Sequence, residues 1–122
     1  MTAAAWVKKI TAQMRLKGIE SEGFETTILT LADMLEERDK IYTQYKKEGA
    51  HPLIEHTSDR GATNRIANPL LKEWQTMNRD ALVYWRELGL TPKGLKALNE
   101  QAVAQNKAPD LSDILHELTI EQ

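Results

Sequence analysis

The sequence predicts an all-α fold, built on a long antiparallel helical hairpin with short helices on either side of it. Apolar residues recur at alternating spacings of four and three in two long segments, 24–48 and 68–88. A helix-stopping glycine follows each segment, and Asn68 and Pro69 mark the start of the second. Residues 50–67, which join the two segments, show no clear periodicity and are predicted to form a connecting loop.

The first predicted helix runs from Thr2, a candidate N-cap, to about residue 16. Its apolar residues recur every four positions: Trp6, Ile10 and Met14. Gly18 supplies a left-handed stop. These signals predict a short amphipathic helix.

The second predicted helix spans about residues 25–48 and ends before Gly49. Its apolar seam consists of Phe24, Ile28, Leu31, Leu35, Tyr42 and Tyr45. Arg38 occupies the one seam position that is not apolar. We expect its guanidinium either to reach solvent or to pair with an acid.

Four candidate metal ligands lie close together in the predicted connecting loop. They are His51, Glu55, His56 and Asp59. Imidazole and carboxylate ligands close in sequence could converge on a divalent ion, so a metal-dependent nuclease is one hypothesis. Their spacing matches no established ligand motif, and we favour exposed loop histidines and predict neither metal nor cofactor.

The third predicted helix begins with Asn68 as N-cap and Pro69 in the first turn, and it ends at Gly89. Its seam consists of Leu70, Trp74, Met77, Ala81, Tyr84 and Leu88. Leu71, Leu82 and Trp85 are predicted to widen it. Trp74, Tyr84 and Trp85 could also form a base-stacking platform, but their helical spacing favours packing along the seam.

Thr91 and Pro92 repeat the cap-and-proline start, which makes "LGLTP" a tight elbow before another helix. After a polar connector, the end of the chain predicts an acidic amphipathic helix. Its apolar face consists of Leu111, Ile114, Leu115 and Leu118. The predicted organisation is therefore a basic N-terminal helix at 1–19, a hairpin core and oligomerisation domain at 20–104, and an acidic tail helix at 105–122.

Composition limits the class of protein. With 122 residues and 41% hydrophobic residues, the chain is long enough for one compact domain. The core of such a domain is modest, and self-association would add to its stability. Cysteine is absent, which excludes disulfides and thiolate metal sites. No apolar run is long enough to span a bilayer, so we expect a soluble protein. The sequence contains no phosphate-binding loop, zinc-protease motif or nucleophile elbow, and we predict that the protein is not an enzyme.

Charge is distributed unevenly along the chain, although the formal net charge is only −2. Segment 1–19 has basic residues and no acid: Lys8, Lys9, Arg15 and Lys17. These could form a phosphate-binding band or an ordinary solvated helix face. Arrayed copies would multiply weak phosphate contacts through effective concentration. Four further basic residues are alternative contact points: Arg60, Arg65, Lys93 and Lys96.

Residues 68–98, "NPLLKEWQTMNRDALVYWRELGLTPKGLKAL", resemble the signature region of the small subunit of bacteriophage DNA-packaging terminases. The matching positions are Asn68, Pro69, Glu87, Leu88, Gly89, Leu90, Thr91 and Pro92. The resemblance extends over roughly residues 24–100, since a long helix and a variable loop precede the signature. Family members commonly carry Arg soon after the Thr-Pro, where this chain has Lys93 and Lys96.

The resemblance implies a helical hairpin that assembles into a ring-shaped homo-oligomer in the cytoplasm of an infected bacterium. Such a ring would recognise viral double-stranded DNA and regulate the ATPase and nuclease of the large terminase subunit, without itself being catalytic. On this interpretation the basic first segment contacts DNA and the tail leucines and isoleucine dock the large subunit. The alternative is a helical component of phage assembly that binds other proteins and no DNA.

Overall fold

The computed structural model describes residues 1–104 as helices joined to one small β-sheet. The elements in chain order are α1 (Ala3–Leu16), α2 (Glu25–Lys47), β1 (Leu53–Thr57), β2 (Thr63–Ala67) and α3 (Pro69–Glu87). The chain is helical again over residues 92–104. Within this described part, no helix combines the length and the apolar character that crossing a membrane requires.

The predicted start and stop of α1 are confirmed. Oγ1 of Thr2 accepts a hydrogen bond of 3.2 Å from the backbone N–H of Ala5, which satisfies one of the free amides of the first turn. After the helix, Gly18 adopts φ 73°, a left-handed conformation that glycine reaches at no steric cost. The amide of Ile19 then donates to the carbonyl of Met14 at 2.8 Å and closes the helix end.

The main core lies where α1, α2 and the second half of α3 meet. Its buried members are Trp6, Ile10 and Met14 from α1, Ile28, Leu31, Ala32 and Leu35 from α2, and Ala81 and Leu88 from the third helix and its C-cap. The members from α1 recur every four residues. Three of the four from α2 belong to the predicted seam, and Ala32 is the one that the prediction lacked. Both helices therefore bury one stripe each, which is the arrangement that amphipathic spacing specifies.

Helices α2 and α3 pack side by side in opposite directions. Nη1 of Arg38 donates to Oδ1 of Asn78 at 3.1 Å. One turn further along α2, the Tyr42 ring lies 5.1 Å from the Trp74 ring, centroid to centroid. Four residues forward on α2 thus correspond to four residues back on α3. The aromatic pair supports the seam interpretation of Trp74 over a base-stacking platform.

The elbow after α3 forms as predicted. Gly89 has φ 75°, and the Leu90 amide donates to the carbonyl of Trp85 at 2.9 Å. Oγ1 of Thr91 then caps the following helix by accepting from the amide of Gly94 at 3.0 Å. Gly94 is buried against the backbone of Arg86, so the new helix lies directly against the last turn of α3.

The prediction of an all-α fold is wrong, because residues 50–67 contain a β-hairpin where a loop was expected. Strands β1 and β2 pair antiparallel, with Ile54 opposite Ile66 and Thr57 opposite Thr63. Each strand has a single half-buried residue, and the other positions are exposed. The apolar–polar alternation that identifies a strand in sequence is therefore almost absent. The remaining local signals are β-branched residues and a glycine near the turn, and both are weak.

The predicted seam of α3 is also broader than the observed one. Leu82, which was expected to widen the seam, is 51% exposed and lies on the outer side of the helix. Of the predicted α2 seam, Tyr42 is 37% exposed. One contact of Arg38 matches its predicted pairing with an acid, since its Nη2 lies 3.0 Å from Oδ1 of Asp39.

Candidate nucleic-acid interface

The basic residues of α1 occupy more than one side of the helix. Lys8 and Arg15 are exposed and seven residues apart, so they share the face that points away from the core. Lys9 lies on a neighbouring side, with Nζ 5.1 Å from the centroid of the Trp6 ring. Lys17 follows the helix as its C-cap residue. The four side chains are accessible to a polyanion, and Lys8 and Arg15 together form the outward surface.

An Asp39-centred cluster anchors α1 on α2 beneath this surface. The Trp6 indole Nε1–H donates to Oδ2 of Asp39 at 2.8 Å, and the N-terminal amine of Met1 lies 3.1 Å from the same oxygen. Arg38 donates to Oδ1 from the other side. Burial raises the pKa of Asp39, but the hydrogen bonds from Trp6, Arg38 and the amine, with the charge of Arg38, lower it below the ordinary value of 3.8.

The β-hairpin presents two of the predicted arginines. Arg60 lies in the turn, where the Ser58 amide donates to the carbonyl of Ala62 at 2.8 Å and closes the loop. Arg65 lies in β2 directly opposite Glu55. A two-stranded ribbon can enter the major groove of DNA, but the acid opposite Arg65 reduces the positive charge that this face offers.

One residue, Asn68, fixes the base of the hairpin. Its backbone N–H donates to the carbonyl of Pro52 at 2.8 Å, and its side-chain Nδ2 donates to the carbonyl of His51 at 2.9 Å. Its Oδ1 accepts from the amide of Leu70 at 3.0 Å and caps α3. Asn68 is buried, and it therefore ties the hairpin to the start of the helix that follows it.

Lys93 and Lys96 are exposed on the helical segment after the elbow. A side-chain carbon added at Gly89 would meet both Leu98 of this segment and Ile19, which follows α1. The segment therefore lies at the same end of the molecule as the C-terminal end of α1.

Six of the eight predicted DNA-binding residues thus fall at two ends of the helix pair. One end holds Arg15 and Lys17 with Lys93 and Lys96, and the other end holds Arg60 and Arg65. Helix α2 separates them, and its 23 residues correspond to roughly 35 Å. A single duplex contact could not engage both groups of one chain without spanning this length.

The residues of the metal-site hypothesis are not brought together. Glu55 and His56 are neighbours in β1, so they project from opposite faces of the ribbon. His56 is paired across the ladder with Asn64, and no group of three potential ligands gathers anywhere in residues 1–104. Within residues 1–104, the residues of the hypothesis therefore do not form one metal-binding group.

Sequence reasoning missed a row of basic residues on the outer side of α3. Lys72, Arg79 and Arg86 are exposed and spaced seven residues apart, so they lie in line along the helix. They lie on the side of α3 opposite Ala81 and Leu88, which face the core. The heptad spacing was readable in the sequence, but its position relative to the core was not. The predicted docking residues Leu111, Ile114, Leu115 and Leu118 lie outside the described residues.

Fold and surface together define a helical scaffold that carries a β-hairpin insert and exposed basic residues at both ends. Comparison with known families gives a match of residues 3–105 to the family described as phage terminase, small subunit. Because the match covers most of the chain, the protein belongs to the phage terminase small-subunit family, and the resemblance found in the sequence is confirmed. No curated protein and no solved structure gives a significant match.

Proposed function

We propose that the protein is a non-catalytic adaptor that binds viral double-stranded DNA as packaging begins and regulates the ATPase and nuclease of the large terminase subunit. Its place of action is the cytoplasm of the infected bacterium. Membership of the small-subunit family is the observation that carries this proposal. The described surface is compatible with it, because basic side chains are exposed at both ends of the scaffold.

The working form is a homo-oligomer, and a ring is the proposed arrangement. Large apolar side chains remain in solvent on the outer sides of the helix pair: Leu29 is 56% exposed, Leu82 51% and Val83 54%. Single exposed apolar residues are ordinary on a monomer. Here they occur on two of the long helices, and neighbouring copies would remove them from water.

The proposed DNA contact is the α1 surface, with Lys8 and Arg15 at its centre. Segment 1–19 contains no acid, whereas the hairpin arginines have Glu55 and Asp59 near them in the sequence. Each copy offers only a few cations, and the assembly multiplies them. DNA binding should therefore weaken steeply with added salt, because each neutralised phosphate releases counterions.

The test compares two double charge reversals by duplex-DNA binding over a range of salt concentrations. Lys8→Glu with Arg15→Glu is expected to weaken binding and to flatten the salt dependence, by about 0.9 in log–log slope for each phosphate that the variant no longer neutralises. The matched variant, Arg60→Glu with Arg65→Glu, should bind nearly as the unmodified chain does. Weakened binding confined to the second variant would place the DNA contact on the β-hairpin instead.

We further propose that the tail docks the large subunit through Leu111, Ile114, Leu115 and Leu118. Ile114→Asp in the full chain should abolish capture of the large subunit and stimulation of its ATPase while DNA affinity is retained. Capture that persists in this variant would assign docking to another part of the chain.

A second function, a protein-binding assembly component without DNA binding, is favoured by the formal net charge of −2. It predicts that the assembled protein retains no duplex DNA even at low salt, yet still forms complexes with other packaging proteins. Retention of DNA at low salt excludes it.

A further inference from the structure

Exposed acids lie on the outer side of α2. On α3, a row of exposed basic residues points outward, and a second row of exposed acids, Glu73, Asp80 and Glu87, runs beside it. Residues 18–37 contain six acids and no Lys or Arg. They are Glu20, Glu22, Glu25, Asp33, Glu36 and Glu37. Of these, Asp33 and Glu37 are exposed on α2 one turn apart, and the exposed Leu29 continues the same line. We call Leu29, Asp33 and Glu37 the acidic face.

The basic row of α3 has a matching composition. Lys72, Arg79 and Arg86 run along the helix, and the exposed side chains of Leu82 and Val83 lie between the last two. We call these five residues the basic face. The residues of each face combine like charges with exposed apolar side chains, the composition of a contact whose apolar centre is bordered by charge. Lys40 is exposed beside the acidic face, where it pairs with Glu37.

The two faces point away from the contact between α2 and α3. On α2, Arg38 and Tyr42 contact α3, and on α3 the contact residues are Asn78 and Trp74. The residues of the two faces lie on other sides of their helices. Helix α1 packs on α2 through Trp6, Ile10 and Met14, and it leaves the acidic face exposed. One chain thus presents both faces at once, and its own faces cannot meet each other.

The register between α2 and α3 sets the positions of the two faces along the common helix direction, which we call their heights. Because Arg38 is level with Asn78 and Tyr42 with Trp74, one residue back along α2 corresponds to one residue forward along α3. Glu37 is therefore level with Arg79, and Asp33 with Val83. Rotation about an axis parallel to the helices preserves height. It would bring Glu37 of one copy opposite Arg79 of the next.

We propose that a second copy of this chain covers each face, with the acidic face of one copy against the basic face of its neighbour. The inference rests on the proposed oligomeric function and identifies its interface. The contact is heterologous, since two different surfaces meet, and it forms a ring when successive rotations return to the first copy. Among residues 1–104, the ion pair of Glu37 is with Lys40, at 3.4 Å on the exposed surface, and so weak a pair leaves Glu37 able to take a new partner.

The experiment measures the native mass of the full chain in three variants. Glu37→Lys and Arg79→Glu each place like charges in contact, and each is expected to shift the assembly to monomers and small oligomers at micromolar concentration. The double variant Glu37→Lys/Arg79→Glu exchanges the two charges, and assembly should return. Circular dichroism and thermal unfolding check that each variant remains folded.

An equimolar mixture of the two single variants gives a sharper test. Half of its contacts join two unmodified faces and half join two exchanged faces, so mixed assemblies should form although neither variant assembles alone. A contact between identical faces gives no such rescue. Glu20→Lys and Lys17→Glu, which change charge outside both faces, serve as controls and should leave the mass unchanged.

The outcomes separate this interface from the proposed function. If the unmodified chain is monomeric, both the oligomeric function and the interface fail. If the unmodified chain assembles and the single reversals do not change its mass, the interface is wrong while the oligomeric function stands. If Arg79→Glu lowers DNA affinity with mass unchanged, the basic face contacts DNA and the proposal is overturned.

Discussion

The two ends of the helix pair differ in how they are stabilised. At one end three helices enclose a core in which Ile10, Met14, Leu31, Leu35 and Leu88 are completely buried. At the other end, the β-hairpin contributes one half-buried residue per strand and is fixed mainly by the hydrogen bonds of Asn68. A two-stranded sheet of this kind has little stability of its own in water. Global stability should therefore depend on the first end, and local opening should be concentrated at the second.

The largest expected difference comes from matched truncations of one aliphatic residue at each end. Leu35→Ala should lower the free energy of unfolding by about 2–5 kcal/mol, because it leaves a cavity in a closed core. Ile54→Ala, on a half-exposed strand, should cost about 1 kcal/mol or less. Denaturant unfolding at one temperature measures both, and equal decreases would show that the hairpin belongs to the same cooperative core.

The Asp39 cluster provides the second prediction. Asp39→Asn should lower the free energy of unfolding at neutral pH by about 1–2 kcal/mol, because a charged acceptor of three donors becomes a neutral amide. Trp6→Phe removes the indole donor and also shortens a buried core side chain, so a packing loss adds to the lost hydrogen bond. Denaturant unfolding measures both variants.

The same cluster predicts a pH dependence. The pKa of Asp39 is lower in the folded chain than its ordinary value of 3.8, so its contribution is fully present above that value. Stability should fall as pH drops through the folded pKa, when the carboxylate takes up a proton. In Asp39→Asn this part of the acid dependence should disappear. An identical pH profile in both proteins would contradict the assigned role of Asp39.

The third prediction concerns Asn68, where the two ends meet in sequence. Asn68→Ala should cost about 1 kcal/mol, since it removes the N-cap of α3 and the bond to the carbonyl of His51. Asn68→Asp keeps an oxygen that can cap the helix, but it replaces the donor to His51 with a carboxylate oxygen that the carbonyl of His51 repels. Hydrogen exchange should then show faster exchange in the hairpin for both variants, with exchange at the start of α3 accelerated only in the alanine variant.

The smallest expected effect comes from the hairpin turn. Gly61 has φ 83° with open space around it, so Gly61→Ala adds only backbone strain of about 1 kcal/mol. Amide exchange should rise in the hairpin while the unfolding midpoint hardly changes. Gly94→Ala is the matched variant. Its added carbon would collide with the backbone of Arg86, so it should loosen the segment after the elbow from α3.

The helix ends depend on local contacts, which a sequence reveals, whereas the hairpin and the basic face depend on what the folded chain buries. Thr2, Asn68 and Gly89 act through contacts with residues close in sequence, so capping chemistry located these helix ends correctly. The hairpin was missed because each strand buries one residue, and a strand exposed on both faces leaves no alternation to detect. The basic face was missed for another reason. Its spacing is visible in sequence, but only the packing of Ala81 and Leu88 shows which side of α3 faces outward.

The separation of the two ends by the length of α2 has a consequence for any ring whose axis runs along the helices. Every copy then points the same way, so one rim carries all the β-hairpins and the other rim carries the Arg15, Lys17, Lys93 and Lys96 clusters. The two rims of such a ring differ in chemistry. A duplex would therefore meet a different surface at each rim. The ring would be polar along its axis without any contribution from another protein.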